Sequence, residues 1–265
     1  MPKLSQINIF PIKSCRGISL ERAVVERRGL RFDRRWMIVD ANYQFLTQRK
    51  HPQLAVVEVE IDGGRLIINA PSRTSLSLPA RNSTGERVNV TVWSSVVAAV
   101  VVGPESDQWF SELLGFECHL VHMEDDSIRP VKKEYSQDGD HVSFADAFPY
   151  MLISEASLED LNQRLKAPVP MNRFRPNFVL SGCGPFEEDT WKVIRIGSVA
   201  FRVAKPCDRC ITTTVDQATG IKGTEPFETL TKYRNNNGGV FFGQNLIADG
   251  LGSLSVGEEV IVEQL

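Results

Sequence analysis

The stretch LAVVEVEIDGGRLII, residues 54–68, decides the fold class. Two β-branched runs, 54–61 and 66–68, flank Asp62-Gly63-Gly64, and an Asp-Gly pair between such runs supplies the positive-φ positions of a tight hairpin turn. Runs of the same kind lie outward at 4–9, 18–25, 36–39 and 88–93, and Asp40-Ala41-Asn42 reads as a second turn before Gln44-Phe45-Leu46. The first hundred residues are therefore expected to be β. Helical spacing first appears at 106–114, where Trp109, Phe110, Leu113 and Leu114 share a face and Gly115 ends the run. Residues 124–141 are polar, have no sustained period and read as a long loop.

The second half opens with a strand at 150–153. A helix follows at 157–165, where Ser157 and Asp160 approximate a capping box and Leu158, Leu161 and Leu165 form the apolar stripe. Strands are expected at 177–180, 193–196, 199–203 and 211–215, with a hairpin at Gly197-Ser198. Pro226 fits the first turn of a helix reaching about residue 233. Residues 253–262 alternate around Gly257-Glu258-Glu259 and read as a closing hairpin or barrel strand. The pattern is mainly β with a few helices, as in barrels or sandwiches, and not a βαβ repeat.

Composition narrows the function. At 265 residues, with 42% hydrophobic and 24% charged content, the chain builds one large or two small cores. A formal net charge of -3, spread over both signs, argues against nucleic acid or an anionic membrane as partner. No secretory leader or membrane-length apolar run is seen, so a cytoplasmic protein is expected. Its five cysteines, an odd number, are expected reduced.

The chemistry concentrates at KPCDRC, residues 205–210. Nearby cations favour the thiolate, the form that binds metals. Structural zinc would need a second ligand pair, which neither Cys118, Cys183 nor the four histidines provide. A dithiol-exchange motif should open a helix, whereas a β-branched run follows Cys210. Further cations sit in PIKSCRG (11–17), DRRW (33–36) and RFRPN (173–177), residue types suited to an oxyanion if they converge.

PIKSCRG, GLRFDRRW (29–36), TQR (47–49), LISEASLEDL (152–161), FRPN (174–177), PCDRCITTTV (206–215) and FGQN (242–245) resemble, in this order, the MOSC family. The likeness is strongest to its amidoxime-reducing members, and it covers nearly the whole chain. It implies a MOSC N-terminal β-rich domain at 1–123 and a MOSC β-barrel domain at 124–265, with a molybdenum cofactor (Mo-pyranopterin) between them. By resemblance Cys210 is the metal ligand and Cys207 its neighbour. Lys13, Ser14, Arg34, Arg175 and Asn177 would hold the cofactor, with Asp208 and Arg209 flanking the ligand. Asp146 matches an acidic position that could deliver protons, and Thr47, Gln48 and Arg49 would line the substrate side.

The activity so implied is reduction of amidoximes, hydroxylamines and other small N-hydroxylated compounds. The cysteine spacing of a plant-type ferredoxin is not seen, nor a targeting segment before Leu4, so electrons are expected from a separate ferredoxin-like or flavin protein. The alternative is a carrier that holds the cofactor, or a persulfide on Cys210, without catalysis. A cysteine hydrolase lacks a recognisable histidine partner among His51, His119, His122 and His141.

Overall fold

The computed structural model describes residues 1–81 and 85–265. The largest sheet runs Val260–Gln264, Val193–Ile196, Val199–Asp208, Gly239–Ala248, Tyr150–Ser154, Phe178–Ser181, Lys3–Ile9 and Ile18–Leu20, with Asn235–Asn236 added beside Gly239–Ala248. Leu4 N donates to Glu258 O (2.9 Å) and Gly257 N to Leu4 O (2.7 Å), which joins the first strand to the segment leading into the last. The sheet thereby closes into a barrel, which removes edges that would otherwise pair with other chains. Along Lys3–Ile9 the buried positions are Leu4, Ile7 and Ile9, an odd step that a bulge between Leu4 and Gln6 makes possible. The barrel interior is filled by Tyr150, Phe178 and Phe201, whose ring centroids lie 5.4–5.6 Å apart.

The first half adds a four-stranded sheet, Trp36–Asp40, Cys118–His122, Ser95–Val101 and Arg87–Val92, and the expected hairpin, Glu58–Asp62 with Arg65–Asn69, extended by Leu76–Pro79. Gly63 (φ 53) and Gly64 (φ 75) make its two-residue turn. Leu54 itself lies in a 3-10 turn, Pro52–Val56, begun by Pro52. Lys3–Ile9 pairs with Phe178–Ser181, and Arg22–Glu26 pairs with Gly252–Ser255. The division expected at 123/124 therefore separates segments that share sheets.

Among the described residues three α-helices pack on this frame: α1 (Pro104–Leu114), α2 (Glu155–Arg164) and α3 (Phe227–Tyr233). Helix α2 starts earlier than the capping box at Ser157 suggested. Ser154 is the cap, accepting from Ser157 N at 3.1 Å, and the Ser157 hydroxyl turns to the buried Glu188 carboxylate at 2.7 Å. The strand expected at 211–215 is instead a 3-10 turn, Ile211–Thr214. Thr213 and Thr214 hydroxyls donate to Cys210 O (3.1 Å) and Ile211 O (2.8 Å), satisfying locally the carbonyls a sheet ladder would have used. Of the two readings of 253–262, the barrel strand holds, as Val260–Gln264 in the largest sheet, and the hairpin does not, since Gly252–Ser255 joins a different sheet. Among the described residues no helix is long and apolar enough to cross a membrane.

Candidate functional site

Four chain segments meet where the two halves touch. The first two are laced together by backbone bonds, Lys13 N to Trp36 O (2.8 Å) and Arg34 N to Phe10 O (2.9 Å). Lys13 is buried, and its ammonium donates to Phe144 O (2.7 Å) and to Asp146 Oδ1 (2.5 Å). Burial pulls Lys13 below its usual value, an effect Asp146 partly offsets. The loop that carries Asp146 is pinned by Arg129, buried and donating to Ser143 O (2.9 Å), Ala145 O (2.5 Å) and Asp146 O (2.8 Å). So the long polar segment is anchored at its functional end.

The third segment brings Arg175 beside Arg34. Both guanidinium carbons lie 4.2 Å from the Phe10 ring centroid. Arg34 is paired with Asp33 (2.6 Å), but among the described residues no carboxylate lies within 4.0 Å of Arg175, whose one side-chain hydrogen bond is to Gln217 Oε1 at 3.4 Å. Burial first, and the Arg34 charge second, press Arg175 from 12.5 down to about 9. Two cations crowded on one ring, one without a counter-charge, form a site that calls for an anion. Cys15, buried against Arg175, does not supply it, because burial pushes its thiol up to about 12. Asn177 is buried, with Oδ1 accepting from Arg34 Nη1 and Met151 N (3.2 Å each) and Nδ2 donating to Asn8 O (3.1 Å). Asn177 thereby helps fix the Arg34 guanidinium in place.

Among the described non-glycine residues nine have positive φ, and Ser14 (72°), Arg34 (48°) and Arg175 (57°) are three of them. Side chains strain that conformation, and such strain collects where a site must be held in one shape.

The fourth segment leaves the strand Val199–Asp208. Asp208 Oδ1 accepts from Val240 N (3.1 Å) and Arg209 N donates to Val240 O (2.7 Å), so the turn is tied to its neighbour strand. Cys210 begins the 3-10 turn and its sulfur lies 3.2 Å from Thr212 Oγ1. The Arg209 guanidinium does not face that sulfur. It donates to Cys207 Sγ (3.0 Å) and Phe174 O (2.7 Å). A helical turn, not the expected β run, follows Cys210 as it would in a helix-opening dithiol, yet the two sulfurs have separate partners, Arg209 for Cys207 and Thr212 for Cys210.

All nine sequence-predicted residues, Lys13, Ser14, Arg34, Asp146, Arg175, Asn177, Asp208, Arg209 and Cys210, line one cleft of ≈ 250 Å³, with Thr47, Gln48 and Arg49 on the same wall. Arg173 and Lys205 join them, so seven cationic side chains face two carboxylates, Asp146 and Asp208. Arg173 and Lys205 stand in the cation-bearing segments RFRPN and KPCDRC, whereas no sequence signal marks Phe10, which reads as an ordinary core aromatic.

The proton-delivery role read for Asp146 meets an ion pair. Desolvation pulls its carboxyl upward, but the Lys13 ammonium and hydrogen bonds from Lys13 and Trp93 overcome this and hold it well below the usual carboxylate range. A carboxylate so held gives up no proton at neutral pH.

These residues fit a phosphate-bearing metal chelate. Arg173 Nε and Arg209 Nε are buried without partners, and Arg175 awaits an anion. Among the described residues no group of three or more His, Cys, Asp or Glu could hold a metal. One soft thiolate therefore suits a metal that brings further sulfur ligands of its own.

The chain is similar to known proteins over both of its halves. Residues 1–117 match the MOSC N-terminal beta barrel domain and residues 139–261 the MOSC domain. The chain is 35% identical over 276 residues to a Mus musculus protein named mitochondrial amidoxime-reducing component 1, covering 97% of this chain and 81% of that one. It is 36% identical over 275 residues to mitochondrial amidoxime reducing component 2 of Bos taurus, covering 97% and 82%. The Danio rerio component 1 is 36% identical over 272 residues, covering 97% and 83%.

Proposed function

Because the chain belongs to the MOSC family and carries both of its domains in succession, we propose that it reduces N-hydroxylated compounds with a molybdenum pyranopterin held in the cleft. The observation that carries this reading is that Cys210 lines the same cleft as Arg175, a half-buried cation with no carboxylate within 4.0 Å among the described residues. Its relatives named as amidoxime-reducing components supply the substrate class.

In the overall reaction an N–O bond breaks, two electrons and two protons are consumed, and the products are an amine or amidine and water. When bound, the cofactor supplies the two-electron redox chemistry and the terminal ligand positions for it. The chain's own residues do the rest. Cys210 provides the thiolate, fixed in direction by the turn Ile211–Thr214 and by Thr212. Arg175 and Arg34, seated on Phe10, take the phosphate together with Lys13 and the Ser14 hydroxyl. Asn177 and Asp33 hold Arg34, and Asp146 holds Lys13, as positioning residues. Asp208 and Arg209 fix the ligand turn to the strand Gly239–Ala248. Electrons arrive from a separate electron-transfer protein.

The test is amidoxime-dependent oxidation of a reduced dye by purified protein of known molybdenum content. Turnover proportional to metal is expected. Full metal occupancy without turnover would replace this reading with that of a cofactor carrier.

A further inference from the structure

The cation excess of the cleft falls on two separate aromatic platforms. Arg34 and Arg175 share Phe10, whereas the Arg49 guanidinium carbon lies 4.4 Å from the Trp93 ring centroid. Trp93 sits in the turn between Arg87–Val92 and Ser95–Val101 with φ 56. Its indole Nε1 donates to Asp146 Oδ1 at 3.1 Å, and Phe45 packs on it with centroids 5.1 Å apart. The platform is thus fixed to the same carboxylate that holds Lys13. Beneath Arg49, the buried Gln48 donates to Ser14 O (2.6 Å) and pairs with Gln217 (3.0 Å), so the segment itself is anchored.

The Arg49 side chain makes no hydrogen bond or ion pair within the described protein; its partner is the Trp93 face. A guanidinium stacked in this way keeps its N–H edge free, in the planar fork that matches a carboxylate or phosphate. We propose that Arg49 is an oxyanion-recognition arm on the substrate wall of the cleft, and that the substrates are acidic N-hydroxylated compounds, bearing a carboxylate or phosphate away from the N–O group. The substrate half of this inference rests on the reductase reading; the anion arm does not. One oxyanion satisfies the Phe10 pair, and the Trp93-mounted arginine is left for a second. The unpaired charge also raises the local concentration of anionic substrate.

The experiment compares two aryl amidoximes of equal size, one neutral and one carrying a ring carboxylate, on wild type, Arg49→Gln and Arg49→Lys of measured molybdenum content. In parallel, calorimetry measures benzoate against benzamide binding to the same proteins. A charge-assisted paired hydrogen bond corresponds to a preference of roughly 10- to 100-fold. Wild type should favour the acidic amidoxime by that ratio in kcat/KM, expressed in KM. Arg49→Gln should bring the ratio near 1 and weaken benzoate by the same factor, with Arg49→Lys between them. A ratio near 1 in wild type, or one unchanged in Arg49→Gln, overturns the proposal while leaving the reductase reading intact. Loss of metal in Arg49→Gln with unchanged discrimination also overturns it, assigning Arg49 to the cofactor clamp. Arg49-dependent benzoate binding with neither amidoxime reduced supports the arm and sinks the reductase reading.

Discussion

Replacing Arg175 by methionine should stabilise the cofactor-free protein while destroying its capacity to bind phosphate. The guanidinium is partly buried, pressed down to about 9 by desolvation and by Arg34, and has no carboxylate within reach. A fully buried unpaired charge costs several kcal/mol; the open edge of this one and its contact with Phe10 reduce that to about 1–2 kcal/mol. Methionine keeps an unbranched stem against Phe10 and removes the charge. At this chain length roughly 2–4 °C accompanies each kcal/mol, so the variant should melt about 2–8 °C higher. Inorganic phosphate at about ten times its Kd adds about 1.4 kcal/mol to whichever protein binds it. Thermal unfolding of both proteins, with and without phosphate, is the assay. The wild type should gain from phosphate and close most or all of the gap to the variant, which should not respond. If the variant melts lower without phosphate, or both proteins gain equally, Arg175 is not a cation waiting for an anion and the clamp is misassigned.

Gly17→Ala would place a Cβ 2.4 Å from Phe10 Cε1. The displaced ring should loosen both arginines, costing about 1–3 kcal/mol and lowering metal content on purification; an unchanged melt and metal content would count against Phe10 as platform. Asp146→Asn leaves the buried Lys13 without its counter-charge and should destabilise by about 1–3 kcal/mol, with the acid limb of the rate profile unmoved. Loss of that limb would restore Asp146 as a proton donor. Burial, with the Arg35 charge second, lowers His122 from 6.5 to about 4. The unfolded chain then binds the extra proton first, so stability is full above pH 6.5 and falls between 6.5 and 4 by about 3 kcal/mol. His122→Phe should flatten that part of the melting-temperature profile, and a parallel profile would contradict it.

The β character was legible because strand alternation and turn chemistry are local. Asp62-Gly63-Gly64 specifies its hairpin within a few residues, and Gly243 in FGQN is explained by a close approach, since a Cβ there would lie 2.7 Å from Leu152 O. The residues of the cleft were legible as motifs, but their convergence was not, because it depends on segments 133 to 201 residues apart, as in Lys13 with Asp146 or Arg16 with Gln217. Threonines 212–214 misled because β-branching favours strands, while the hydroxyls of Thr213 and Thr214, unseen by periodicity, bond the carbonyls of Cys210 and Ile211. Arg129 was hidden in a segment whose polarity suggested exposure, although its guanidinium is buried among carbonyls. Positive φ at Ser14, Arg34 and Arg175 has no sequence signature, as none is glycine or asparagine.

In the proposed reading the Cys210 sulfur, and not that of Cys207, is the protein's bond to molybdenum. X-ray absorption at the molybdenum edge on wild type, Cys210→Ser and Cys207→Ser, prepared with saturating cofactor, tests it directly. Cys210→Ser should lose one sulfur from the metal's ligand shell, or lose the metal, while Cys207→Ser should match wild type. An unchanged sulfur count in Cys210→Ser, or a loss in Cys207→Ser alone, would contradict it.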